Sequence, residues 1–437
     1  VPVNHFIKEL FMQKGLRLVR PSNTKWLPVT LILYCTISCQ KEKIQNIEEQ
    51  AFSTSDSRNS NRLYSTRVEV SNIDELYAAV DNVNYEGALL LISPGIYVLN
   101  ANRPNGGRIE FQKDMALQGL PGHAESVIID ASQLPGSSFI PSLNIPAPRT
   151  GAIRMGKGNN SIEWLTVKGN STSQALSAID TDLIGDGECN ITIAHCIVTG
   201  GRIGIDMRNV GLASKNRMIH AALMDNEILE NLVQQGQGIE LQNANGASGA
   251  VIRAVLNGNY VHGNKVGLRS FNNNANNTKT DSGSIIIQSN ADRFEENGIG
   301  IFLASSLNQG ASTTANSNTL SFEAHGSDIQ NNKGTIPSDV PDVAPGGLYV
   351  AGGLSANSGE VSSNKLQVKL FGCTLSDNNG PDIKAYGYLS VRGILYGTHN
   401  VATIHLAGVS ANSIVTAIAS VPNESEGTNI INVYHDR

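Results

Sequence analysis

Aromatic residues make up only 5% of this chain, and Trp occurs twice. That scarcity excludes a core built on rings and leaves the interior to aliphatic side chains. The strongest apolar run, "WLPVTLILYCTIS", has 13 residues, too short to cross a bilayer as a helix. Five cysteines in 437 residues do not make a disulfide framework, and buried thiols at Cys189, Cys196 and Cys373 are expected instead. Cationic excess is also missing, with 32 Lys and Arg against 38 Asp and Glu, which argues against nucleic acid as a partner. There is no His-Glu-x-x-His, no phosphate-binding Gly loop and no nucleophile elbow. His195, His220 and His262 therefore read as ordinary surface or turn residues.

What is abundant is repetition. "NEILENLVQQGQGIEL" (226–241), "NYVHGNKVGLRSF" (259–271) and "DRFEENGIGIFL" (292–303) are one phrase written three times. Extending it in both directions places Asn170, Gly200, Asn231, Asn264, Asn297, Asn332 and Asn378 in one column, 30 to 46 residues apart. Asn and Gly tolerate the left-handed backbone of a sharp corner, and stacked Asn amides can bond to one another. Three residues earlier stand Val167, Ile197, Ile228, Val261, Phe294, Ile329 and Leu375, an apolar ladder that must point inward. Short strands at such a period, with no helix between them, predict an all-β solenoid, a parallel β-helix. One helix is expected ahead of it, in "VSNIDELYAAV", with Ser71 as N-cap and Ile73, Leu76 and Val80 on its buried face.

The N-terminal residues read as an address. Lys14, Arg17, Arg20 and Lys25 precede the 13-residue apolar run, as in a secretory signal. The run ends in "TISC", which resembles the lipobox of bacterial lipoproteins, and the "QKEK" that follows resembles the charged export tag of Bacteroidetes surface lipoproteins. The resemblance implies cleavage before Cys39, its acylation, and a lipid anchor at the outer membrane or cell surface. Residues 1–39 are then signal, 40–65 a polar tether, and 66–437 the β-helix domain, expected as a monomer. Without residues 1–39 the chain carries 27 basic and 37 acidic residues, a net charge of −10.

"ALLLISPGIYVL", "MALQGLPGHAESVIIDAS" and "NNSIEWLTVKGN", with the Asn-punctuated coils, resemble the right-handed parallel β-helix proteins of the pectin lyase-like superfamily. The resemblance spans about residues 66–437 and implies that polysaccharide lies along the strand after the Asn corner. In "IELQ", Ile239 and Leu241 point inward while Glu240 and Gln242 point out. The same register gives one outward column of Asp180, Asp206, Glu240, Arg269, Phe302, Tyr349 and Lys384. A second reads Asp182, Arg208, Gln242, Phe271, Ala304, Ala351 and Tyr386.

Like charges on coils about 4.8 Å apart need compensation. Arg202 and Arg208 could supply it locally, or a bound Ca2+ could, with Asp180, Asp206 and Glu240 as ligands. Resemblance to calcium-dependent pectate lyases of that superfamily implies β-elimination on a uronate-containing glycan, with Arg269 as base and Lys265 nearby. Paired carboxylates at Asp180 and Asp206, or Asp180 and Glu240, would instead suit a glycoside hydrolase. In a third reading Arg208, Phe271, Phe302, Tyr349, Lys384 and Tyr386 bind sugar without catalysis, as in an adhesive surface protein.

Overall fold

The computed structural model describes residue 64 and residues 66–135, 150–172, 176–181, 187–211, 214–233, 236–274, 279–309, 313–336, 345–355, 359–390, 397–419 and 429–436. Cys39, the signal, the tether up to residue 63 and Asp182 lie outside them. No helix among the described residues is long and apolar enough to cross a membrane.

The chain is a parallel β-helix. Three parallel sheets of 12, 10 and 10 strands run along its axis, and each coil contributes one strand to each. The first sheet begins at Thr66–Val70 and ends at Ile430–Asp436. The second is made of strands such as Glu227–Leu229, mostly three or four residues long, and the third of long strands such as Ile299–Asn308. Ile239 and Leu241 are fully buried in the central core, as alternation requires. Burying such a side chain contributes about 1.5–3 kcal/mol, and the stacked coils repeat that gain along the axis.

One helix, Ile73–Asp81, packs Leu76, Tyr77, Ala79 and Val80 onto the N-terminal end of this core. Its N-cap is Asn72 rather than Ser71: the Asn72 side chain accepts from the Glu75 amide at 3.0 Å, while Ser71 donates to the Glu75 carboxylate. Ser71 thus serves the reciprocal half of a capping arrangement.

The Asn column is a ladder of stacked amides. Both the backbone and side-chain nitrogens of Asn231 donate to Asn264 Oδ1, Asn264 does the same to Asn297, Asn297 to Asn332, and Asn332 to Asn378. Two details differ from the sequence expectation. The left-handed backbone belongs to the residue before each Asn: Glu230, Gly263, Glu296, Asn331 and Asp377. The column also slips by one at "CIVTGG". Val198, not Ile197, pairs with Val167 and Ile228, so Gly201 occupies the ladder position and donates to Asn231, while Gly200 takes the positive φ.

The other two corners have ladders of their own. Asn226, Asn259 and Asp292 stack where the first sheet turns into the second, and Asn318, Asn364, Asn400 and Asn429 where the third returns to the first. Beside the Asn231 ladder, Gly204, Gly238, Gly267, Gly300 and Gly347 open the third-sheet strands. A Cβ on Gly267 would come within 2.5 Å of the Gly300 carbonyl and 3.0 Å of the Asn297 amide nitrogen. The amide ladder and the side chains of the short sheet fill that space, so only glycine fits.

Candidate functional site

The third sheet lines up both predicted columns. Asp180 pairs in register with Asp206, Asp206 with Glu240, Glu240 with Arg269, Arg269 with Phe302, Phe302 with Tyr349, and Tyr349 with Lys384. Arg208, Gln242, Phe271, Ala304, Ala351 and Tyr386 form the second line beside it. Lys265 stands apart, in the turn between Asn264 and the strand Val266–Asn274. Two residues of the first column were not anticipated: Glu110 and Arg154 precede Asp180. They lie upstream of the Asn-punctuated phrase, which is why its register did not reach them.

The outward stripe is shielded. Every residue of Ile203–Val210, Gln237–Ala244, Val266–Asn274, Ile299–Asn308 and Gly346–Ser355 is buried, whereas the first-sheet strand Met218–Met224 alternates buried and half-buried. A sugar platform open along its length was expected. Instead Phe271, Phe302, Tyr349 and Tyr386 belong to a second apolar cluster with Val266, Ile299, Leu307, Leu354 and Leu389, separate from the central core. Aliphatic neighbours on the outer face withdraw the rings from water. The column emerges at its ends: Glu110 is half-buried at the first coil, and toward the C-terminal coils Lys384 is half-buried and Val415, its next register partner, is 44% exposed.

Two carboxylates of the stripe are matched by arginines. Arg154 Nε and Nη2 each lie 3.3 Å from an Asp180 carboxylate oxygen, and the Gly151 amide donates to the same carboxylate at 2.6 Å. Asp206 is held by Arg208 Nε at 2.8 Å and by the Ser177 hydroxyl at 3.1 Å. Of the two arginines weighed as local compensation, Arg208 meets Asp206, and Arg154 does the same for Asp180. The guanidinium of Arg269 sits 4.8 Å from the centre of the Phe271 ring and 5.9 Å from that of Phe302. The Lys384 ammonium lies 5.3 Å from the Tyr386 ring and 5.8 Å from Tyr349. Such cation–ring contacts gain strength where water is excluded.

This donor set does not suit Ca2+, which takes six to eight oxygens. Among the described residues no three His, Cys, Asp or Glu side chains group closely enough to hold a metal, and guanidinium groups already occupy the Asp180 and Asp206 carboxylates. Neither carboxylate stands in the apolar setting that suits a glycosidase proton donor. A guanidinium retains its proton in proteins, so Arg269 is suited to holding an anion rather than to taking a proton.

Cys189, Cys196 and Cys373 are buried thiols outside any disulfide, and burial pushes Cys196 up to about 12. His195, His220 and His262 lie on the surface or in turns, beside Asp225, Glu188 and Glu227 respectively.

No family model matches the chain, and no curated protein does. Among solved structures it is similar to the A-module of the Azotobacter vinelandii mannuronan C-5 epimerase AlgE4, at 14% identity and a TM-score of 0.41, over 83% of this chain and 98% of that one. It is also similar to an alginate lyase from Paenibacillus sp. str. FPU-7, at 12% identity and a TM-score of 0.30 over 81% and 99% of the two chains. A third, PfbA, a surface adhesin of Streptococcus pneumoniae, gives 9% identity and a TM-score of 0.29 over 80% and 87%.

Proposed function

We propose that this protein binds an acidic polysaccharide through the C-terminal end of the third-sheet stripe, as a surface protein without catalysis of its own. The observation that carries the reading is the placement of Lys384 between the Tyr349 and Tyr386 rings where the column meets solvent. A uronate presents a carboxylate to the half-buried Lys384 ammonium, which the buried Tyr349 and Tyr386 rings hold from within by cation–ring contact. Farther up the stripe, Asp180 and Asp206 are bound by Arg154 and Arg208. Anchoring through an acylated Cys39 would hold the protein at the cell surface.

The test is retention of a panel of acidic and neutral glycans by the full chain. Acidic glycan should be retained, Lys384→Gln and Tyr386→Ala should each weaken retention at least tenfold, and no product should form. Retention unchanged in both variants defeats the assignment. Release of unsaturated uronides, abolished by Arg269→Ala, would establish the lyase instead, and a calcium requirement for either outcome would restore the metal reading.

A further inference from the structure

The corner between the first and second sheets, away from the stripe, carries the one described tryptophan. Trp164 adopts a positive φ of 57°, at a corner position held with positive φ in later coils by His195, Asp225, Gly258, Ala291, Gly326, Gly372 and Gly408. A bulky ring in left-handed backbone is uncommon. Its indole stacks on the His195 ring of the next coil, with centroids 4.0 Å apart and planes within 12°, and His195 in turn lies 3.7 Å from Asp225.

One face of the indole is thus taken. The indole is half-buried, and the next residue in register on the preceding coil is Gly119, which has no side chain and whose amide donates to the Glu163 carbonyl at 2.9 Å. Glu163, the residue before Trp164, is joined at 3.4 Å to Gln118 of the preceding coil, and Leu120, two residues on, is exposed. Partial burial raises the Glu163 carboxyl above its ordinary range, against the pull of His195. Trp164, Glu163 and Gln118 are each half-buried, within reach of a ligand.

We infer that Trp164, Glu163 and Gln118 form a second saccharide contact, taking a neutral pyranose with its C–H face on the indole and its hydroxyls on the carboxylate and the amide. A flat ring with polar groups at its edge matches the two kinds of surface that a pyranose presents. The site is independent of Lys384 and Tyr386.

Trp26 and Trp164 are the chain's two tryptophans, so the full chain carrying Trp26→Phe reports on Trp164 alone by fluorescence. Neutral hexoses and their oligosaccharides should change the emission saturably. Glu163→Gln and Gln118→Ala should each weaken the half-saturating concentration at least fivefold, while Lys384→Gln leaves it unchanged. No response to any neutral saccharide overturns the assignment, as does a response that both corner variants leave intact. A response confined to organic cations such as choline overturns it too, since the indole would then be a cation site.

Discussion

Asn231 and Asn264, 33 residues apart in sequence, meet at a single oxygen: Asn264 Oδ1 receives both the backbone and side-chain N–H groups of Asn231, each at 3.0 Å. Removing that oxygen strands two buried donors at once. Asn264→Ala should lower stability by about 2–4 kcal/mol, since each buried group left unbonded costs about 1–3 kcal/mol. Denaturant unfolding measures it, and a loss below about 1 kcal/mol would show that the ladder is not structural.

Two glycines 4 residues apart should respond very differently. Gly263 has a φ of 63° with open space at its Cβ, the nearest atom being Glu230 N at 3.8 Å, so Gly263→Ala should cost about 1 kcal/mol. Gly267 faces backbone at 2.5 Å, and Gly267→Ala should cost more than about 2 kcal/mol because a carbonyl cannot step aside. Melting both variants side by side decides the order.

Ser270 places a hydroxyl in the apolar interior with no hydrogen-bond partner. Ser270→Ala should leave stability unchanged or raise it by up to about 1 kcal/mol, the reverse of the usual direction for a buried truncation. A clear loss in the melting temperature would indicate a bound water at that hydroxyl.

The Arg154 and Asp180 pair is buried on both sides. Arg154→Met should destabilise by about 3–5 kcal/mol by leaving a carboxylate without its guanidinium, and adding Asp180→Leu should recover much of the loss. A double-mutant cycle reads the coupling, and additive effects would mean that the pair is incidental.

Asp292 stands in the ladder of the first corner, where burial raises its pKa to about 6. A carboxyl whose folded value lies above its unfolded one stabilises the fold when protonated, and that contribution is lost as pH rises from about 4 through 6. Asp292→Asn keeps the oxygen that Asn259 uses and removes the charge. It should stabilise by on the order of 2–3 kcal/mol at pH 8 and by much less at pH 4. Melting curves at the two pH values test it, and a constant difference would refute the burial argument.

The solenoid and its outward register were legible because Asn at a corner and alternation in the strand after it are local patterns. The slip at Gly200 and Gly201 arose because two adjacent glycines satisfy the corner equally, and Ile197 and Val198 are equally apolar. The ladders through Asn226 and Asn318 escaped notice because their neighbours are Asp292 or connections of uneven length. Shielding of the stripe could not be read at all. A Phe302 that faces out of one sheet carries the same letter whether water or Leu307 lies beside it, and that difference decides where a glycan can reach.

The ladders also have a direction. Each amide oxygen accepts from the coil before, and each amide nitrogen donates both to the oxygen of the next coil and to a backbone carbonyl of the preceding one. Two amide rows end on a carboxylate, one in the middle of the solenoid and one nearer its C-terminal end: Asn259 donates to Asp292 at 2.8 Å, and Asn378 to Asp382 at 2.9 Å. An aspartate ends each row as an acidic cap ends the donor terminus of a helix. A coil inserted upstream of either aspartate extends the row, whereas one inserted just after it begins a new row and breaks the old polarity.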